Sequence, residues 1–378
     1  MTQPHGAVIE QPRATQPAAA LEELRALAAA AGRAPSGDNV QPWHLEVHEA
    51  DASIAVYVDR ARDMSPMNSG QRMSLLTCGA AIENALLLAA ERGWKTDLEL
   101  CEAPDLSQPR PLVARIRLIS RTAPRNSEHA EYLIASRVTN RRNYDRRALS
   151  SHILIALQDA TPDLAGVNTH WICERESIDR LAGIIARADA LMFGEPSIRR
   201  AILANIRFDL PAKAEASEGL PLAALEASAP ERVALRLLRR VPPTLFKLAG
   251  SSALFSVHAR GLVRSASGLC VISLPNVVPH AEVRIGQALQ RAWLAITELG
   301  LAAQPMMSLL VLDNALRHGT PELAAELMRR GAPALVDDFH SALQALDLAG
   351  QPRFLLRFGY APAPSGRTGR LGDRGDVA

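Results

Sequence analysis

Cysteine is scarce in this 378-residue chain. Cys78, Cys101, Cys173 and Cys270 stand far apart and form no CxxC pair, so neither a disulfide framework nor a thiolate zinc site is supported. Lysine is rarer still: only Lys95, Lys213 and Lys247 occur, and the other basic residues are Arg. Aromatic residues make up 4%, and no uninterrupted apolar run reaches the roughly 18 residues of a membrane span. Neither charge dominates. The 42 basic and 40 acidic residues leave a formal net charge of +2, with no basic block to neutralise consecutive phosphates, so nucleic-acid binding is not expected. The opening MTQPHGAVIEQPRATQP lacks the charged-then-apolar pattern of an export signal, and the expectation is a soluble cytoplasmic protein that touches no membrane. His258, His280, His318 and His340 have no HxxxH or HxH spacing with carboxylates nearby, so no metal site is expected. A G-x-S-x-G elbow is missing. The glycine-rich stretch, Gly366–Gly375, lies in the tail and not between a strand and a helix, which excludes a Rossmann dinucleotide site.

What is present is ordinary globular composition, 48% apolar and 22% charged, long enough for two or three domains or one large core made of two similar halves. Residues 1–18 read as a disordered leader. Ala20–Arg33 reads as a helix stopped by the Pro35-Ser36-Gly37-Asp38 cluster, and HLEVHE and SIAVYV read as paired strands. An internal repeat follows. Cys78–Trp94 written against Ile285–Leu301 agrees at six of seventeen positions, and both copies carry apolar residues at i, i+3, i+4 and i+7. Both end in Gly, and the spacing predicts a strand after each, DLELCE and MSLLVL. The reading is a duplicated α+β unit whose two long helices pack together. Residues 195–260 are irregular. Within them Leu220–Arg240 is expected to hold a basic amphipathic helix whose mixed polar face suits packing on the partner half better than a membrane surface.

Ala34–Trp43 carries the densest chemistry. Ser36, Asn39 and Gln41 place three hydrogen-bonding side chains in six residues, which suits the edge of a flat heteroaromatic ring or a phosphate, and equally an ordinary Asx-type turn with no ligand. The stretch APSGDNVQPWHLEV closely resembles the PS-x-x-N-x-QPW-x-F signature of the nitroreductase family, FMN-dependent oxidoreductases built as intertwined dimers. Three further stretches resemble that family: Ser136–Tyr144 its phosphate-binding opening, GQALQRAWLAITELGLAAQPMMS its central helix and flavin-side loop, and FLLRFGY with Arg367 and Arg370 its last strand and basic tail. The first-half ring motif and second-half phosphate motif resemble the fused, single-chain branch typified by the mycobacterial Acg proteins.

The resemblance implies an α+β, nitroreductase-like fold of two tandem halves forming an internal pseudo-dimer, with long central helices and antiparallel or mixed sheets. The halves would be residues 19–125 and 126–362, with a lid-like insert at about 195–260 and a basic tail at 363–378. It implies that Pro35, Ser36, Gly37, Asn39 and Gln41 cradle the FMN ring, that Arg137, Thr139 and Arg141 hold its phosphate, and that Arg367 or Arg370 closes over it. Pro305, Met306, Met307 and Ser308 would face the N5/O4 edge. Asn143 is an insertion relative to the phosphate motif, and His44 is expected to point off a strand face. The first half lacks an R-x-[ST]-x-R and the second lacks a second PS-x-x-N-x-QPW, so one FMN per chain is expected. The implied activity is hydride transfer between NAD(P)H or an organic donor and a small conjugated acceptor such as a nitro compound or quinone. A biosynthetic flavin dehydrogenase acting on a small heterocycle, and a flavin-binding protein with little turnover, stay open. So does the choice between a monomer and a weak homodimer.

Overall fold

The computed structural model describes residues 17–123, 128–161, 164, 166–208, 218–239, 251–348 and 350–371. The first of these start α1 (Pro17–Gly32), and the rest of the expected leader lies outside the described residues. Next come β1 (Trp43–His48), β2 (Ser53–Val58), α2 (Arg72–Glu91), β3 (Trp94–Leu100) and β4 (Leu112–Arg121). After α3 (His129–Ser136) and α4 (Ser151–Asp159) the chain enters β5 (Asn168–Ile172) and a helical stretch: α5 (Arg175–Gly194), α6 (Pro196–Ala204), the short pair β6 (Ile206–Arg207) and β7 (Leu220–Pro221), α7 (Ala229–Leu238) and α8 (Ser251–Ser265). It closes with β8 (Gly268–Leu274), α9 (Ala281–Glu298), β9 (Ala302–Pro305), α10 (Ser308–His318), α11 (Pro321–Arg329), α12 (Ala332–Gln344) and β10 (Gln351–Gly359).

The two four-stranded sheets share one plan. The first runs β1-β2-β4-β3 and the second β5-β8-β10-β9, antiparallel throughout, so each has its fourth strand between its second and third. In each half the long helix, α2 or α9, follows the second strand and precedes the third. The second copy is enlarged by helices between β5 and β8 and between β9 and β10. Its central strand β8 (GLCVISL) is buried at every position, as a β-branched run covered on both faces should be. Three large apolar clusters result among the described residues, besides a small one. Leu24, Ile82 and Ile116 lie in the first half; Leu289, Trp293 and Phe358 lie in the second; Ile185, Leu309 and Phe339 lie among the added helices.

The sequence repeat marks the place where α2 and α9 cross. A Cβ built on Gly79 would lie 2.0 Å from the carbonyl oxygen of Val283, and one on Gly286 would lie 1.8 Å from that of Leu76. The repeat sets Gly79 opposite Gly286 and Leu76 opposite Val283, so the two contacts exchange when the helices are swapped. The polar contacts do likewise: Arg291 Nε donates to Glu83 at 2.5 Å, and Gln290 Nε2 donates to Asn84 at 2.6 Å. The repeated terminal glycines, Gly93 and Gly300, have φ of +79° and +69°, the left-handed stop that ends each helix.

Three expectations need correction. MSLLVL is not a strand; it opens α10, and the strand after α9 is β9. A short apolar run reads either way, but Leu309, Leu312 and Ala315 are buried at helical spacing and Asp313 accepts from Arg317 at 2.7 Å, one turn on. The amphipathic helix is shorter than Leu220–Arg240: α7 starts only at Ala229, behind a Ser228–Glu231 capping box with Pro230 in its first turn. Finally, Pro66–Glu91 contains an 18-residue window of mean hydropathy 1.6, apolar enough for a membrane span by length and composition. Leucines, Ile82 and alanines supply that hydropathy between the polar residues, and 72% of the window is buried inside the fold, as in a core helix.

Because the crossing has no room for a methyl group, Gly286→Ala should destabilise the fold by about 3 kcal/mol or more. Gly261→Ala in α8, where nothing lies within 4 Å of the added carbon, should be neutral or stabilising by up to about 1 kcal/mol. Urea unfolding of the two variants beside the parent checks both.

Candidate active site

A cavity of about 520 Å³ opens where the two halves meet. Its walls come from the turn after α1, the first turns of α2, the loop after α3, the Leu289–Trp293 face of α9, the β9–α10 junction, the end of α5 and the tail. Burying so many chain segments at one place follows from the α2–α9 crossing, which brings the start of one helix against the side of the other.

The turn after α1 is strained and tied down. Asp38, Asn39 and Gln41 have φ of +47°, +58° and +51°, a conformation that costs a side chain roughly 1–2 kcal/mol per residue. The Ser36 hydroxyl accepts from the Gln41 N–H at 3.0 Å and closes the turn. The tail holds it from outside: Arg370 donates to Asn39 Oδ1 at 3.0 Å and to the carbonyl of Ala34 at 3.2 Å, Asn39 Nδ2 donates to the Gly369 carbonyl at 3.3 Å, and the Leu371 N–H donates to Gln41 Oε1 at 3.0 Å.

Cations gather at one side of the cavity. Arg137, at the end of α3, is 7% exposed, its guanidinium 4.6 Å from the centre of the Trp293 ring. It donates to the Arg33 carbonyl at 3.3 Å, while its Nε is buried with no partner. Burial, then Arg370 and Arg367, pushes its pKa down to about 9, and no carboxylate opposes them. Arg367 donates to the Ala135 carbonyl at 3.3 Å. Arg141 donates to the Ala224 carbonyl at 2.9 Å, its pKa lowered by burial against the opposing charge of Asp38. The loop carrying these groups is anchored by Arg357, fully buried, which donates to the Arg142 carbonyl at 2.7 Å and lies 3.8 Å from the Tyr144 ring. Burial brings Arg357 down to about 10.

Carboxyls and apolar groups line the rest. Asp38 accepts from Asn205 Nδ2 at 3.2 Å, and burial raises its pKa. Asp63 accepts from the Ser65 N–H at 3.1 Å and is raised for the same reason. Asp189 of α5 is pushed up to about 6 by burial, with the Ser308 hydroxyl acting more weakly the other way. Met192, Phe193, Met306 and Met307 contribute apolar surface, and Phe193 stacks on Phe255 at 3.9 Å with the rings nearly parallel. Among the described residues no group of three or more His, Cys, Asp or Glu side chains is placed to hold a metal ion.

No family model matches the chain. An uncharacterized protein of Mycobacterium tuberculosis (strain CDC 1551) is 27% identical over 372 residues, which is 96% of this chain and 49% of that protein. The chain thus spans about half the length of that relative. A second protein of Mycobacterium tuberculosis (strain H37Rv), described as a candidate NAD(P)H nitroreductase, is 24% identical over 348 residues, 90% of this chain and 86% of that one. Among solved structures, the FMN-dependent nitroreductase NfnB of Mycobacterium smegmatis in complex with NADPH aligns with a TM-score of 0.33 and 17% identity over 62% of this chain and 88% of that one.

Of the nitroreductase-signature residues, Pro35, Ser36, Gly37 and Asn39 line the cavity together with Arg137, Thr139, Arg141, Pro305, Met306, Met307, Ser308, Arg367 and Arg370. Gln41 does not. It is buried, donates to the Asn39 carbonyl at 3.2 Å and receives Leu371, so it braces the turn from behind. His44 bonds Glu46 at 3.0 Å along β1, away from the cavity. Sequence reasoning missed Asp63, His258 and Asp189. Only Asp189 had a usable signal: it is a half-buried carboxyl flanked by the buried Ile185, Ala188 and Met192 of α5, where an acid needs a reason.

The native state favours the protonated form of Asp189, so its contribution to stability is complete below about pH 4 and is lost as pH rises through about 6. Asp189→Asn, uncharged at every pH, should match the parent near pH 4 and exceed it near pH 8 by on the order of 2 kcal/mol. Thermal melts across that range, without added ligand, measure the difference.

Proposed function

We propose that the protein is an FMN-dependent oxidoreductase of nitroreductase type, binding one flavin per chain and using NAD(P)H or an organic donor to reduce a small conjugated acceptor such as a nitro compound or quinone. The observation that carries this reading is Arg137: a buried guanidinium with an orphaned Nε, beside two more arginines and no opposing carboxylate. Such a site is completed by an anion, and a planar, forked donor suits a phosphate. The cavity volume of about 520 Å³ falls in the range of small-molecule sites.

In this reading Arg137, Arg367 and Thr139 take the phosphate, with Arg370 holding turn and tail together at the same end. Pro35–Asn39 lies along the ring edge, and the Pro305–Ser308 junction presents its backbone to the opposite edge. When bound, FMN supplies the hydride-carrying chemistry, and the protein's part is to place donor and acceptor and to exclude water. Methionine and phenylalanine side chains on the walls serve the second task. The insert at 195–260 adds Ile202, Asn205, Leu220 and His258 to those walls, which supports its reading as a lid. The shared strand order and the exchanging glycine contacts support two halves acting as an internal pseudo-dimer, so one chain would form the site without a second copy.

Purified protein should carry one FMN per chain, identified after heat release and counted by its visible absorbance, and anaerobic NADPH should bleach it. Arg137→Ala should weaken FMN binding by about ten- to a hundredfold, the loss expected for a buried charge-assisted contact. A colourless protein that refuses added FMN overturns the reading.

A further inference from the structure

We propose that Asp189 is the proton donor of the site, passing its carboxyl proton to the acceptor at the Met307–Ser308 wall of the cavity. This rests on the oxidoreductase reading above. Two-electron reduction of a conjugated acceptor adds a hydride at one atom and a proton at another. The hydride and its electron pair derive from reduced nicotinamide. The proton comes from the O–H bond of Asp189, which breaks as the new bond to the acceptor forms, and the carboxylate left behind regains a proton from solvent. The sum is NAD(P)H, one proton and the acceptor giving NAD(P)+ and the reduced acceptor.

Selection among the cavity's groups leads to Asp189. Four titratable side chains other than arginine line it among the described residues: Asp38, Asp63, Asp189 and His258. Asp38 faces Arg141 and accepts from Asn205, both of which favour its carboxylate against the burial that raises its pKa. Asp63 is bound to the backbone of Ser65. His258 is half exposed and lies 3.6 Å from Glu231. Among the described residues no cation and no backbone N–H bears on Asp189; its polar neighbour is Ser308, whose hydroxyl is buried with no other partner at the start of α10, beside Met306 and Met307. The charged groups on elements packed against α5 are engaged elsewhere. On α8, Arg264 bonds Asp179 at 3.0 Å, and Arg260 lies beside Gly183. On α10, Arg317 bonds Asp313; on α12, Asp338 bonds Arg187; on α6, Arg199 bonds the Phe193 carbonyl at 2.9 Å. Neither these nor Arg200, His318, Asp337 or His340 bears on the Asp189 carboxyl. A half-buried acid with a titration brought up to about 6 is protonated often enough near neutrality to give its proton and acidic enough to part with it.

The test uses FMN-loaded protein in two half-reactions. Asp189→Asn should retain the parent's FMN content and its bleaching by NADPH, and should reoxidise with a water-soluble benzoquinone about a hundredfold more slowly under anaerobic conditions. The parent's reoxidation rate should fall as pH rises above about 6; the variant's should be flat, and Asp189→Glu should restore most of the rate. Reoxidation of Asp189→Asn at the parent's rate, with the parent's pH profile, overturns the proposal. If Asp189→Asn fails to fold, Ser308→Ala takes its place: without the hydroxyl the falling limb should move to higher pH, and an unmoved limb overturns the proposal. Parent protein that binds no FMN removes the cofactor reading instead. In that case the ligand-free melts still decide on the acid, since a stability difference between parent and Asp189→Asn that stays constant from about pH 4 to 8 shows that Asp189 is no neutral acid.

Discussion

Everything in this molecule depends on how closely α2 approaches α9. Two glycines let the backbones touch, each lying under a carbonyl of the other helix, and any larger residue would push the halves apart. Helices normally pack 8–10 Å apart with side chains interleaved. Here contact at glycine leaves the flanking turns to meet polar group to polar group, Glu83 with Arg291 and Asn84 with Gln290. Glu83 is fully buried, and burial raises its pKa against the pull of Arg291. A buried carboxyl so paired fixes register, since a shift of one turn would leave it without its partner.

The cavity inherits its polarity from that arrangement. Trp293 of α9 forms the floor on which Arg137 lies, so the cation is held by ring and backbone carbonyl and its remaining N–H group stays available. The acids enter by other routes: Asp38 and Asp63 from the loops of the first half, Asp189 from a helix inserted into the second. Separate origins keep each acid with its own local partner, which is why their protonation is set by burial more than by one another. The wall made by residues 195–260 has a small apolar cluster of its own, Leu203, Ile206, Phe208 and Leu222, with Leu235 and Leu238 of α7 packed on it.

Much of this was legible in the sequence, and the exceptions share a cause. The paired glycines and the helical period marked the two long helices that cross, because both are local patterns. The turn residues Ser36 and Asn39 stood out because short polar side chains cluster there. Gln41 looked like the same kind of residue, yet its partner is the backbone of Leu371, 330 positions away, and no local pattern announces such a contact. MSLLVL was misread because four apolar residues in a row have no period. Arg357 gave no sign within FLLRFGY that it would be fully buried, since its acceptors are carbonyls from two other segments. Asp189 alone, an acid flanked by Ile185, Ala188 and Met192, stood in plain view.

The strained turn has a consequence for how the chain matures. Three departures into left-handed backbone within four residues lie near the start of the fold, while Asn39 is held by Arg370, 331 positions later. During synthesis the first sheet and α2 can assemble long before that partner exists. Until it arrives the turn lacks the bonds to Arg370, Gly369 and Leu371 and keeps those made by Ser36, Gln41 and Asn205. The wall that carries Asn39 therefore gains a set of its restraints only once residues 369–371 exist, although it is written among the first forty residues.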